Sequence, residues 1–437
     1  MKKLSLILTI LLSALTASAQ VTTSGITGKV ADAHETIIGA TIKACHTPSG
    51  AIYYGVTNAN GVYTISGMKA GGPYDIEVSY IGYEPVKFTD IQLVLGENTI
   101  INATITENAS QLQEVQVVAP SRNTMRSDHS GAVTNMNLEQ ISSIPTISRT
   151  MTELMRMTPQ SSSASGVAIG GGNFRQSNVT IDGASFNNAF GLSLGATPLP
   201  GGGTPISLDA LEQMTISVTP YDVRQSGFTG GGINAITRSG TNQFKGSVYT
   251  YITSTSLKGS RVGDTSLAIT NGRNDTYGLT FSGPILKDKL FFFVNGEFED
   301  NKTTGPSSRA GDGGNTYTNT SRRPQLSELE SLSSYLRSNY GIETGPWQNY
   351  NVKAPAYRLL ARLDWNINDN HKFHIRFTKS NRKVSNPASA SRSIGGNQST
   401  PIFNGHQNNF GSNTNYGMSS LSSRYYAEYR FTSFAAE

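Results

Sequence analysis

Few residues in this chain have the type and spacing for covalent chemistry. Asp182, in the run Asn178–Asp182 before Gly183, is the best-placed carboxylate for an acid or ligand role. An aspartate before a glycine also starts a tight turn, and that is the stronger reading here. His34-Glu35 opens like a zincin signature, but no second histidine follows at the required spacing, so no metal site is expected. The glycine runs 170–172 and 201–203 lack the Lys-Ser/Thr that lets a glycine loop hold phosphate, and they read as loops. Cys45 is the single cysteine; it excludes an intramolecular disulfide and is expected in the core of an alternating strand. No Ser/His/Asp or Cys/His set stands out. The chain reads as a non-enzyme without a cofactor.

The elements around these residues are mostly strands. Of 437 residues only 15% are charged, well below the roughly 25% of an average soluble domain. Glycine is abundant at 45, with 19 tyrosines and 17 phenylalanines. No apolar run beyond the N-terminus approaches the ~18 residues of a membrane helix. The net charge of +5 comes from scattered Lys and Arg without a recognition motif, so nucleic acid is not an expected partner. Met1-Lys2-Lys3, the apolar run Leu4–Leu15 and Ala17-Ser18-Ala19 have the order of a signal peptide cleaved before Gln20. Segments Ile26–Val30, Ile37–Ala44, Ile52–Thr57, Val62–Ile65, Tyr74–Tyr80 and Thr99–Thr106 alternate or run apolar between turn residues, as in a β-sandwich. Asn60-Gly61 supplies a hairpin turn.

From Phe244 onward the period is two. Leu290, Phe292, Val294 and Phe298 oppose Phe291, Phe293, Asn295 and Glu297. Tyr357, Leu359, Ala361, Leu363 and Trp365 oppose Arg358, Arg362 and Asp364; Phe373, Ile375 and Phe377 oppose Lys372, His374 and Arg376. Tyr425, Ala427, Tyr429 and Phe431 oppose Arg424, Glu428 and Arg430. An apolar face backed by charges suits a strand between lipid and a wet lumen, although a soluble antiparallel sheet shows the same alternation. Short turns at Leu286–Lys289 and Asn366–Asn370 contrast with long polar connections over 300–355 and 381–420, with a loop helix expected at Leu326–Tyr340.

The stretch Leu211–Tyr251, LEQMTISVTPYDVRQSGFTGGGINAITRSGTNQFKGSVYTY, closely resembles the plug end and first barrel strand of TonB-dependent outer-membrane transporters. Within them it is most similar to the Oar-like subgroup, although the commoner family version has Gly-Pro where this chain has Thr219-Pro220. The resemblance makes Gly230, Gly231, Gly232 and Asn234 part of the plug motif, together with Asp182 and Gly183 in GGGNFRQSNVTIDGASFNNAF. Three consecutive glycines let backbone press against backbone. The segments GKV, IIGATI, GVTNANGVYTISGM and YDIEVSYIGYEPV resemble the carboxypeptidase regulatory-like domain, an accessory transthyretin-like sandwich that implies no peptidase.

The organisation expected is a signal peptide (1–19), the sandwich (20–107), a linker (108–122), an α+β plug (123–240) and the first strands of an antiparallel barrel (241–437), mainly β throughout. Within the plug, Ser130–Asn137 and Asn178–Asp182 read as strands, Ile147–Thr158 and Ser207–Met214 as helical in period. In the linker, Glu114, Val115, Gln116, Val117 and Val118 form an extended segment with the look of a TonB box, where strand addition to a partner's sheet supplies affinity. A last strand of the sandwich is the other reading. About six candidate strands fall short of the 22 around a plugged lumen, so the chain is expected to be the N-terminal part of such a transporter.

The resemblance implies active uptake of a solute across the outer membrane, with plug and sandwich on the periplasmic side. Its implied partners are TonB, outer-membrane lipid and, by analogy with starch-utilisation transporters, a surface lipoprotein. The competing reading is a surface adhesion or assembly protein whose sandwich carries the partner contact. The substrate is not legible.

Overall fold

The computed structural model describes residues 22–107, 115–118, 132–146, 149–162, 168–187, 204–218, 229–257, 261–266, 272–304, 325–344, 351–369, 371–386 and 425–436. The segment read as a signal peptide, residues Thr219 and Pro220 and most of the long polar connections lie outside them.

The N-terminal part is a sandwich of strands β1 (Thr23–Ala31), β2 (Thr41–His46), β3 (Ala51–Val56), β4 (Val62–Lys69), β5 (Gly71–Ser79), β6 (Val86–Leu93), β7 (Asn98–Ile100) and β8 (Ala103–Thr104). One sheet runs β4-β1-β7 with β8 also on β1; the other runs β3-β2-β5-β6 and ends on β9 (Val115–Val118). Ile26, Ile42, Met68, Tyr74, Ile76 and Leu93 fill the space between them. The β3–β4 turn forms as its residues dictate: Asn58 Oδ1 accepts from the Asn60 and Val62 amides, and Gly61 takes φ 70°. Three expectations need correction. The strand expected from Ile37 begins at Thr41, because the Thr57 hydroxyl donates to the Ile37 carbonyl and accepts from the Ala40 amide, fixing 37–40 as a loop anchored by buried Ile37 and Ala40. Strand β6 was absent from the alternation pattern because Asp90, at φ 58°, bulges it. Its buried positions shift phase there, from Val86 and Phe88 to Ile91 and Leu93. Cys45 is half-buried on the side of β2 away from the core, which is lined by Ile42, Ala44 and His46.

The middle region carries β10 (Ala132–Asn137), α1 (Leu138–Ser143), α2 (Met151–Met155), β11 (Ser161–Ser162), β12 (Ala168–Ile169), β13 (Asn178–Ile181), β14 (Ala184–Ser185), β15 (Leu211–Val218) and β16 (Gly231–Thr237). Its main sheet has the order β10-β15-β16-β13-β14, with β13 parallel to β16. Helix α1 starts on a capping box between Asn137 and Gln140. The helix expected over Ser207–Met214 is a single 3-10 turn, Leu208–Ala210, followed by β15. Both faces of β15 are covered, so the three-residue spacing of Leu208, Leu211 and Met214 carries no helical information. The glycine cluster opens β16 where it crosses β12. A Cβ on Gly231 would overlap Ile169, and one on Gly230 would lie 3.0 Å from the Ile169 carbonyl.

The remaining strands are β17 (Lys245–Ser254), the short pair β18 (Arg261–Val262) and β19 (Thr265–Ser266), then β20 (Gly272–Leu286), β21 (Leu290–Thr304), β22 (Asn351–Lys353), β23 (Ala356–Asn366), β24 (Lys372–Asn386) and β25 (Tyr425–Ala436). They form an open antiparallel meander β17-β20-β21-β23-β24-β25, with β22 also on β21. Helix α3 occupies Leu326–Tyr340 as expected, closed by Gly341 at φ 63°. One face of the meander is apolar and exposed, with Val248, Phe281, Leu359, Leu363 and Trp365 on it. The other, with Phe291, Phe293, Asn295, Glu297, Arg358, Arg362 and Arg376, packs against the middle region. The alternation on the β25 side chains lies outside the described residues.

His46, in the sandwich core, lies tilted against Tyr74 with ring centres 4.9 Å apart and has Nδ1 2.6 Å from Ser49 Oγ. Burial, aided by the nearby Lys69, pushes its pKa down to about 2. Between that value and the ordinary imidazole value of 6.5, the unfolded chain binds a proton that the folded chain refuses. Stability is therefore present above pH 6.5 and is lost as pH falls, by up to about 1.4 kcal/mol per pH unit. Residues 20–107 expressed alone should melt cooperatively and at lower temperature at pH 5 than at pH 7; His46→Gln should flatten that dependence.

Candidate functional site

Asp182 sits between the middle sheet and the wall formed by the meander. The β13–β14 hairpin turns on Asp182 at φ 44° and Gly183 at φ 74°, so the turn reading of the sequence is met. The turn also buries a carboxylate. Asp182 Oδ1 accepts from the Thr237 amide at 2.8 Å and Oδ2 from the Thr237 hydroxyl at 2.6 Å. From the wall, Arg376 Nη1 reaches Oδ2 at 2.6 Å and Arg362 Nη1 reaches Oδ1 at 3.4 Å. Burial raises the carboxyl, yet the two arginines and Thr237 outweigh it and hold it below the usual carboxylate range. Asp182 stays ionised, which makes it a strut and a poor general acid.

A second ionic group lies further along the wall. Arg358 donates to Glu297 at 2.5 Å, to Glu299 at 2.8 Å and, through Nε, to the Thr204 carbonyl at 2.7 Å. Ser207 donates to the same Glu297 at 2.6 Å. Arg149 pairs with Asp209 at 2.6 Å and lies 3.9 Å above the Tyr251 ring. Each contact joins, or lies beside, a junction between the middle region and the wall.

The sandwich meets both of these bodies. Gln213 on β15 accepts from the Leu95 amide and donates to the Leu93 carbonyl, while the Asn242 amide donates to the Pro48 carbonyl. Lys69, at the end of β4, donates to Ser239 and faces Asp364, Glu212 and Asp182; burial lowers its pKa. A cavity of about 210 Å3 opens here, lined by Lys69, Asp182, Glu212, Arg362, Asp364 and His374. The contact through Asn242 places the sandwich beside the short β20–β21 turn, where Asn242 also bonds Asp288 at 2.7 Å.

The sequence-derived site residues fall in two places. Asp182, Gly183, Gly231, Gly232 and Asn234 come together in one sheet; the Thr180 hydroxyl donates to Asn234 Oδ1 at 3.1 Å, and Gly230 leads into β16. Val115–Val118 lie elsewhere, as β9, in parallel register with Val86–Thr89 of β6. The last-strand reading of the linker is thus the one seen in the fold, and Glu114 lies outside the described residues. Arg358, Arg362 and Arg376 were visible in the sequence only as a charged face. Their partners could not be read, because Asp182 lies roughly two hundred residues away from Arg362 and Arg376. Among the described residues no cluster of His, Cys, Asp and Glu is arranged to hold a metal ion.

Comparison with known proteins fits this geometry. Residues 236–433 match the outer membrane beta barrel domain family, and residues 25–106 match the carboxypeptidase regulatory-like domain family. The chain is 30% identical to the TonB-dependent transporter Oar of Myxococcus xanthus over 256 residues, 55% of this chain and 23% of that protein. The chain is similar to a TonB-dependent transporter. It spans about a quarter of the length of the curated relative it matches. Among solved structures it resembles the siderophore receptor PirA from Pseudomonas aeruginosa, with 18% identity, 59% of this chain, 38% of that one and a TM-score of 0.36. It also resembles the outer membrane transporter YddB from Escherichia coli, with 17% identity, 58% of this chain, 33% of that one and a TM-score of 0.39. The match to an outer membrane beta barrel domain puts the chain's place in the outer membrane, consistent with the exposed apolar face of the meander.

Removing the shared carboxylate should be costly. Asp182→Asn leaves Arg362 and Arg376 without their common counter-charge, a change expected to cost about 3 kcal/mol or more. Denaturant unfolding of the purified chain should show this loss. Combining Asp182→Asn with Arg376→Met, which withdraws one buried charge, should recover part of it.

Proposed function

We propose that this chain acts in TonB-dependent uptake of a solute across the outer membrane, with the middle region as a plug. The observation that carries this reading is the contrast between the two faces of the meander. One face is apolar and open for lipid, and the other is ion-paired to a separate folded body. Such a body can be shifted only by work that separates buried charges, which suits an energised gate. The sandwich beside the short β20–β21 turn is in keeping with a periplasmic position, since periplasmic turns are the short ones.

The linker strand is the candidate handle. With β9 on the edge of β6, TonB either adds to the free edge of β9 or displaces it from β6. A surface lipoprotein remains an expectation from analogy alone.

Val117→Pro removes a ladder donor from β9 and should weaken co-purification of the TonB C-terminal domain about tenfold. Undiminished capture would reject Val115–Val118 as the handle. If neither the variant nor the parent chain captures TonB, the adhesion reading takes precedence.

A further inference from the structure

Arg376 does more than hold Asp182. Its guanidinium is wholly buried, and only Nη1 is used, donating to the Ile181 carbonyl at 2.9 Å and to Asp182. Nε and Nη2 meet no acceptor among the described residues. These two nitrogens form one edge of the planar fork, the edge that grips a carboxylate or phosphate with two parallel bonds. Next along the same inward face of β24 come Thr378 and Ser380, both buried, and neither hydroxyl has a partner among the described residues. Successive inward positions on a strand are about 6.8 Å apart, so guanidinium and hydroxyls line one short row.

The neighbouring strand provides an internal control. Arg362, in register with Arg376 on β23, presents the same edge to Asp364, with Nε 3.0 Å from both oxygens and Nη2 2.8 Å from one. Arg358 is likewise filled on every nitrogen, by Glu297, Glu299 and the Thr204 carbonyl. Arg376 alone of these three keeps its fork unanswered. A buried donor left without an acceptor costs about 1–3 kcal/mol, and more when charged. The face of Phe186, with its ring centre 5.6 Å from the guanidinium carbon, closes one side and favours a ligand held in the guanidinium plane.

We propose that Arg376, Thr378 and Ser380 form an anion site on the inward face of β24 beside the Asp182 turn, taking a group with two or more oxygens on one centre. Arg376 grips two oxygens, and the hydroxyls, spaced along the row, donate to different oxygens of the group. The shared chemistry is that of phosphate, met either as a free ion or as the anionic end of a larger solute. The site stands on its own geometry and does not depend on the transport reading.

The test is thermal unfolding of the full chain in detergent, titrated with sodium phosphate or methyl phosphate against sodium chloride at matched ionic strength. A saturable rise in melting temperature with phosphate is expected. Protection by phosphate alone assigns the site to the free ion; protection by methyl phosphate as well assigns it to the anionic end of a solute. Arg376→Lys keeps the charge and loses the fork, and should weaken the apparent affinity about tenfold or more. Thr378→Val with Ser380→Ala leaves the Asp182 contact intact and should also weaken it, guarding against a variant that merely misfolds. Absence of saturable protection in the parent chain, or protection undiminished in both variants, overturns the proposal.

Discussion

One carboxylate organises the junction of the two larger bodies. Asp182 is buried, ionised and shared: the middle sheet supplies it with the Thr237 amide and hydroxyl, and the wall supplies two guanidinium groups. An isolated charge in that position would be expelled or neutralised. The hairpin turn, the end of β16 and the inward faces of β23 and β24 must therefore coincide within hydrogen-bond distance. The positive φ values at Asp182 and Gly183 belong to the turn that carries this carboxylate. At a second point Arg358 and Glu297 of the wall bond the Thr204 carbonyl and the Ser207 hydroxyl of the middle region, so translation along the wall breaks these bonds together with the Asp182 pairs.

Much of the fold was legible because alternation survives wherever one face is buried. Strands β21, β23 and β24, the Leu326–Tyr340 helix, the short turn at Leu286–Lys289 and the sandwich hairpin at Asn60-Gly61 all lie where the sequence placed them. Reading failed where that premise fails. Strand β15 is covered on both sides and imitated a helix, and β6 changes phase at Asp90. Cys45 was assigned to the core because an apolar-looking residue in a strand has two possible faces, and the register that selects between them is set by β5.

The site was legible only by halves. Asp182-Gly183 announced a turn, and the glycine cluster announced a close crossing, which Gly231 makes against Ile169. Arg358, Arg362 and Arg376 announced a polar face. Nothing in the chain's local order says that the turn and the face meet, since their pairing depends on how two separately formed sheets dock. The linker shows the complementary problem. Its alternation predicts a strand correctly, but one short strand fits the edge of its own sandwich and the edge of a partner equally well.

The parallel docking of β9 on β6 sets how the linker responds to tension. Its C-terminal end leads toward the middle region, so pulling the two bodies apart loads the ladder lengthwise. The evenly spaced bonds of a parallel pair then share that load instead of opening one after another. A tug applied sideways at one end meets them singly, like a zipper. The same four residues, Val115 to Val118, thus make a joint that is stiff along one direction and easily undone across it.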